Sequence, residues 1–453
     1  MGQLWAKTAL TAEGWQSDVL LTWDADGRLT GVHPGLPAQG QTCDLVLPAP
    51  ANCHSHAFQR AMAGLTERRG PHSGDSFWTW RDLMFRFLDR IDPDQVQAIA
   101  AFVQMQMLET GFATNVEFHY LHHRPGGQPY DNLGEMCDRI AAAAAITGIG
   151  LTLLPVLYRF GGCDLRPLGP GQIRFGNNPD RFARLIEHAA IALAPLPGDC
   201  VLGAAPHSLR AVAPGDIALV AGLTRGPLHM HLAEQHAEVE EISAAYAARP
   251  VEWALANIDL SNRWCMIHCT QMQPHETTGL AHSGAVAGLC PLTEASLGDG
   301  TFDAIRWADA GGDMAIGSDS NIRIALAEEL RQLDTTQRLR DHSRAALATP
   351  EQSTGERLWQ AVCHGGAKAA GRGAGALAPG AWADLLTLNT DHPDLAGLSP
   401  ATTLDSFIFA GGNDMVRDVW SAGRHVVQDG RHIAHDAITA RYRAAVAPLR
   451  TGM

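Results

Sequence analysis

Lysine is nearly missing: Lys7 and Lys368 are the only two in a chain of 453 residues, and arginine supplies the other basic side chains. No lysine from the middle of the chain is therefore available to bridge a pair of metal ions, so any metal chemistry favours a single ion. Apolar runs of the ~20 residues needed to span a bilayer are also absent. The N-terminus lacks the charged-then-apolar pattern of a signal peptide, which sets the expectation of a cytoplasmic protein without a membrane partner. Positive charge is in deficit, with a formal net charge of -14. That argues against a nucleic-acid partner or an anionic membrane surface. The nine cysteines are odd in number and follow no framework spacing. Cys265 and Cys269 flank His268 without forming a Cys-x-x-Cys motif, and all nine are read as reduced thiols.

What is present suits a large soluble core with a smaller satellite: 46% of residues are hydrophobic and 18% charged. Near the N-terminus, Asp18 to Trp23 is a short alternating segment, followed by the turn signal Asp24-Ala25-Asp26-Gly27. Near the C-terminus, Ala383 to Leu388 and Val416 to Trp420 are strands, and Asp429-Gly430 marks another turn. The two ends are expected to build one sheet. Between them helix and short apolar strand alternate: helix 93–110, strand 113–118, helix 131–147, strand 150–156, helix 178–194, strand 200–204. The pattern continues with strand 227–231, helices 236–246 and 250–256, strand 263–268, helix 274–282, strand 286–289, helix 301–309 and strand 313–317. About eight such units predict an α/β fold, a (β/α)8 TIM-type barrel with a small β-sandwich domain built from both chain ends. The expected boundaries are 1–48 and 377–453 for the small domain and 49–376 for the barrel. A doubly wound sheet or two α/β domains would not explain why candidate ligands fall repeatedly at strand ends.

Those candidates are His54 and His56 in Asn52-Cys53-His54-Ser55-His56, His231 in Pro227-Leu228-His229-Met230-His231, His268 ending Trp264-Cys265-Met266-Ile267-His268, and Asp319 in Gly317-Ser318-Asp319-Ser320. Residues two apart on a strand share a face, so His54 and His56 can converge on one ion while Cys53 and Ser55 face away. Singly, each has an ordinary explanation: His229 or His231 as a hydrogen-bonded core histidine, Asp319 as a helix cap. Together, and in this order, they point to a metal centre at the catalytic end of a barrel. Glu234 follows His231 by three residues, past the strand, where it can reach substrate beside the metal.

This set resembles the amidohydrolase superfamily, in its single-metal deaminase branch, marked by His-x-His, His-x-x-Glu, a later lone His and a final Asp. The resemblance covers essentially the whole chain, and Leu377 to Leu386 looks like the return into the small β domain of that superfamily. Within the branch, Asn52 to Arg60, Phe77-Trp78-Thr79-Trp80-Arg81, Glu117-Phe118-His119-Tyr120 and Pro206-His207-Ser208-Leu209-Arg210 resemble the formimidoylglutamate deiminase family. That implies hydrolysis of N-formimino-L-glutamate to N-formyl-L-glutamate and ammonia, a step of histidine degradation. It also implies one Zn2+ per subunit on His54, His56, His231 and Asp319, with Fe2+ accepted by the same ligands, and a homodimer. Glu234, His268 and Asp319 are the expected catalytic residues, with Glu234 as proton shuttle.

A small dicarboxylate substrate needs compensation for two charges taken out of water, and arginine forks suit them. Arg210 and His207 are the expected anchors, with Tyr120 as a hydroxyl donor and Gln59 on the formimino group. Arg81 is expected either to contact substrate or to stack on Trp78 or Trp80 as a structural cation, and the aromatic segment around it to close the pocket. His122, His123, His364, His392 and His432 are expected in solvated or capping roles, and Arg331, Arg338, Arg340 and Arg344 on a solvated helix face. Two other functions stay open: deamination of an aromatic amine or purine, favoured by stacking aromatics and few cations, and a non-catalytic scaffold that has lost its metal.

Overall fold

A computed structural model describes residues 1–67 and 77–451. Four strands open the chain: β1 (Gly2–Thr11), β2 (Gly14–Trp23), β3 (Leu29–His33) and β4 (Thr42–Pro48). The barrel strands follow: β5 (Ala51–Ser55), β6 (Thr114–His119), β7 (Gly150–Leu157), β8 (Val201–Leu202), β9 (Ala205–Pro206), β10 (Leu228–Leu232), β11 (Trp264–His268), β12 (Val286–Leu289) and β13 (Met314–Ile316). The chain then returns through β14 (Leu385–Leu388), β15 (Val416–Ser421), β16 (Arg424–Gln428) and β17 (Arg431–His432).

The first and last groups form one sheet in the order β17-β16-β15-β14-β4-β1-β2-β3, so both chain ends build the small β unit. Alternation explains it: Leu4, Ala6, Val19, Leu21, Val46, Leu385 and Trp420 supply its core. In β6, β7, β10 and β11 every residue is buried, as expected of parallel strands covered on both sides. All barrel pairings are parallel. Bridges Ala204 to Leu228 and Ser208 to His231 join the two halves, and Ser55 to Asp319 closes the ring. The fold is the expected (β/α)8 barrel with a small β-sandwich. No helix among the described residues is long and apolar enough to cross a membrane.

Proline at the first helical position starts helices Pro93–Glu109, Pro179–Leu193, Pro214–Leu223, Pro250–Asn257, Pro274–His282 and Pro291–Leu297, where its missing N–H costs nothing. Asp92 adds a capping box with Gln95. The C-terminal helix His435–Arg450 lies on Pro93–Glu109, with Tyr442 stacked on Phe102 at 3.9 Å.

Several expectations need correction. Of the strand expected over 200–204 only Val201–Leu202 (β8) forms, with β9 beyond it, and at Gly203 between them the chain passes so close to Leu154 and Pro227 that a Cβ would lie 2.4 Å from each. The helix expected over 301–309 starts only at Ala304, and that over 131–147 only at Glu135. His122, His123 and His432 are not solvated: all three are buried, bonded to the carbonyls of Val156, Gly176 and Thr147 respectively. Arg331 is half-buried and binds the carbonyls of Ile408 and Gly411, so it joins two helices instead of facing water.

Candidate metal centre and pocket

The C-terminal ends of β5, β10, β11 and β13 bring the sequence-predicted ligands to one point. His54 Nε2 lies 3.1 Å from His231 Nε2 and 3.5 Å from Asp319 Oδ1, and His56 Nε2 lies 3.2 Å from the same oxygen. Ligand atoms of His54, His56 and His231 lie within 4.8 Å of one another, as do those of His54, His268 and Asp319. His56 Nδ1 pairs with the Phe118 carbonyl at 3.0 Å and His231 Nδ1 with that of His207 at 3.2 Å. An Nδ1–H that donates to a carbonyl leaves Nε2 with its lone pair, so these rings aim lone pairs inward. Lone pairs converging this closely repel unless a cation lies among them. The spacing matches a tetrahedral zinc site, where bonds of about 2.0–2.1 Å put neighbouring ligand atoms roughly 3.3 Å apart. The donor set therefore fits a divalent ion.

Charge agrees. Burial, reinforced by neighbouring imidazoles, lowers the pKa of His54 and His231 well below the usual histidine value, keeping them neutral. Burial raises the Asp319 carboxyl, but His56 and His268 outweigh it and leave its pKa lowered. His268 goes the other way: burial lowers it, yet Glu234, Glu294 and Asp319 together raise it well above 6.5. Its Nδ1 is 3.2 Å from Glu294 Oε1, and its Nε2 is 3.8 Å from Glu234 Oε1 and 4.0 Å from Asp319 Oδ2. Glu234 is raised by burial and by Glu238, against His268.

Backbone strain gathers at the same place. Ala233, His268, Cys269, Asp319 and Asn321 all have positive φ, between 46° and 72°. Each such non-glycine residue costs on the order of 1–3 kcal/mol, and such strain clusters at functional sites. A buried polar network holds two of the strand ends. Glu117 accepts from Ser55 Oγ (2.8 Å), the Ala57 N–H (2.7 Å) and Asn115 Nδ2 (3.2 Å). Asn321 Nδ2 donates to Ser55 Oγ at 3.1 Å, and Ser318 Oγ donates to Asn321 Oδ1 at 2.6 Å. Asn52 Nδ2 donates to Ser318 Oγ at 2.7 Å, completing the tie between the His54-His56 segment and the Asp319 loop. Sequence reading missed Glu117 as a positioning residue, because its partners come from other strands. Cys53 joins a small cluster with Cys265, Ile267 and Cys290, where β5 is irregular between Asn52 and Ser55. His229 is a core histidine, bonded to the Ala369 carbonyl at 2.8 Å.

Beside the ligands lies a cavity. His56, His231, Glu234, His268 and Asp319 form one wall, and all five expected substrate residues, Gln59, Arg81, Tyr120, His207 and Arg210, line the rest. Gln59 Nε2 donates to Tyr120 Oη at 2.7 Å, while its Oε1 is buried without a partner among the described residues. Burial lowers the His207 pKa, as does Arg210, so this ring is neutral. Arg81 lies 5.5 Å from the Phe85 ring centroid. Trp80 lines the cavity, but the Trp78 side chain lies outside the described residues. Tyr158, Phe175, Met84 and Leu297 also line it and were missed. For Tyr158 a signal existed, since it follows the end of β7 as Tyr120 follows β6.

Residues 45–426 match the model of the Amidohydrolase family, and residues 1–42 match that of Formimidoylglutamate deiminase HutF, N-terminal domain. A formimidoylglutamate deiminase of Pseudomonas aeruginosa is 44% identical over 441 residues, covering 96% of this chain and 97% of that protein. The chain belongs to the amidohydrolase family, with the formimidoylglutamate deiminases. A crystal structure of an amidohydrolase from Brucella melitensis superposes with a TM-score of 0.94 at 44% identity, covering 99% of this chain and 100% of that one. A more distant amidohydrolase-like fold is the adenosine deaminase of Xanthomonas campestris with bound zinc, at a TM-score of 0.81, 20% identity and coverage of 99% and 98%.

Proposed function

We propose that this amidohydrolase is a hydrolase of a linear amidine C–N bond, converting N-formimino-L-glutamate and water to N-formyl-L-glutamate and ammonia. The observation that carries the reading is one cavity lined by Arg81, Arg210, His207 and Tyr120 together with His56, His231 and Asp319, which cluster with the buried His54. Two guanidiniums in a partly buried pocket suit two carboxylates and are poor company for a neutral purine. Identity of 44% to a formimidoylglutamate deiminase supports the substrate class.

His54, His56, His231 and Asp319 would hold one zinc ion. When bound, such an ion supplies a Lewis acid that makes water nucleophilic near neutral pH. Asp319 can accept a proton from the attacking water, while His268, 4.0 Å from Asp319 and held protonated by its carboxylate neighbours, can orient that water. As the new C–O bond forms, the amidine nitrogen must be protonated before it can leave. Glu234, whose pKa is raised by burial, can carry that proton to the terminal nitrogen, so that the C–N bond breaks and ammonia departs. The buried, unpartnered Gln59 Oε1 can accept from a formimino N–H.

Substrate carrying 13C in the formimino carbon distinguishes the bond that breaks. NMR of the reaction mixture should show the label as an N-formyl group on glutamate, with ammonia released in equal amount. Label appearing as formamide beside free glutamate would overturn the assignment.

A further inference from the structure

Tyr158 is the first residue after β7, at the end of the barrel where the cavity lies, and neither the ligand set nor the proton shuttle uses it. Its ring centroid is 4.4 Å from that of His207, which is 4.8 Å from that of His231. The phenol thus stands two rings out from the ligand cluster, in the cavity that Arg81 and Arg210 also line.

Its hydrogen bonding is set from behind. The Gly169 N–H donates to Gln172 Oε1 at 2.9 Å, which fixes which way the amide points, and Gln172 Nε2 then donates to Tyr158 Oη at 2.9 Å. A hydroxyl that accepts in this way still has its own proton to give. With Tyr158 only 7% exposed, the cavity is where an acceptor for that proton can come from.

The geometry points to Tyr158 as a specificity-determining residue that donates to the side-chain carboxylate of the substrate, with Gln172 as the positioning residue that keeps the phenol a donor. This rests on the dicarboxylate reading above. The choice between the two carboxylates follows from substrate length. The α-carboxylate is on the carbon bearing the retained amidine nitrogen, next to the reacting formimino carbon, and stays near the ligands, whereas the side-chain carboxylate lies two methylene groups further out, on the side of Tyr158. A pocket built to bond a polar group rejects an analogue lacking it, because its own buried donors are then left unpaired.

The test is steady-state kinetics of the metal-loaded parent, Tyr158→Phe, Gln172→Met and the double variant. Each is assayed on N-formimino-L-glutamate and on the analogue with a methyl in place of the side-chain carboxylate. Tyr158→Phe should raise KM for the dicarboxylate roughly tenfold, the loss of one hydrogen bond to a charged group, with kcat within about a factor of two. On the methyl analogue it should change nothing. Gln172→Met should raise KM in the parent and add nothing in the Tyr158→Phe background. An unchanged KM, or equal losses on both substrates, would overturn the inference while leaving the proposed function standing. A parent inactive on N-formimino-L-glutamate would overturn both.

Discussion

Glu234 is the residue on which the proposed chemistry turns, because it is the carboxyl whose burial favours the protonated form beside His268 and the ligands. Glu234→Gln keeps shape and removes proton transfer, and should lower kcat by about 10²–10⁴-fold with metal content unchanged. Assay and metal analysis on one preparation check both. Glu117 acts at one remove: it holds Ser55 and the Ala57 N–H, between which His56 lies. Glu117→Gln should weaken zinc retention, read by competition with a chelator, by less than the roughly 10–100-fold that loss of a ligand's own hydrogen-bond partner costs. At this scale the residues that cluster were legible in sequence, since His54, His56, His231, His268 and Asp319 each mark a strand end. Glu117 and Asn321 were not, because their roles depend on partners far along the chain, whereas Tyr158 had a signal in its place just after β7.

Among the elements, the helix Phe77–Leu88 matters most to the pocket, since it carries Trp80, Arg81, Met84 and Phe85 into the lining. Arg174 ties down its far end. This buried side chain donates to the carbonyls of Leu88, Ile91 and His123, joining the helix to the loop beyond β6. Arg174→Met should loosen that join, raising KM for the dicarboxylate several-fold more than it lowers kcat and costing about 1–3 kcal/mol of stability through unpaired carbonyls. Kinetics and denaturant unfolding read the two effects. Sequence periodicity found the parallel strands because their apolar runs are short and bounded. The helices Pro214–Leu223, Pro291–Leu297 and Thr354–Ala370 went unread. The first two are short, and the third carries Gly355, Gly365 and Gly366, which weaken its helical signal while letting it approach β13 and β5 closely.

At the scale of the whole molecule, buried ion pairs add to the shared apolar core in tying the barrel to the small β domain. Arg372 binds Asp199 at 2.8 Å and Asp384 at 3.0 Å, and Arg424 of β16 binds Asp199 at 2.7 Å. Removing one partner leaves buried charge uncompensated, so Arg372→Met should cost about 3–5 kcal/mol, measured by denaturant unfolding. The pH dependence has a definite sign. Burial raises the Asp199 carboxyl, but its two arginines outweigh that and lower its pKa, whereas Asp384, with one arginine and the Ala422 N–H, is still pushed upward by burial. A lowered carboxylate pKa contributes stability above the unfolded value of about 3.9, lost as pH falls below it. The parent should therefore lose stability more steeply than Asp199→Asn as pH falls below about 4. None of this network was visible in sequence, because Asp199, Arg372, Asp384 and Arg424 lie in separate segments with no shared motif. The barrel itself, and the joining of both chain ends in one sheet, were.

Ammonia release by the purified, zinc-loaded protein is the most direct measurement, with N-formimino-L-glutamate, guanine and adenosine supplied at equal concentration. The account predicts turnover of the formimino compound alone, abolished by chelation, restored by zinc and lost in Arg210→Ala. Turnover of a purine in its place, or ammonia release that survives chelation, would contradict it.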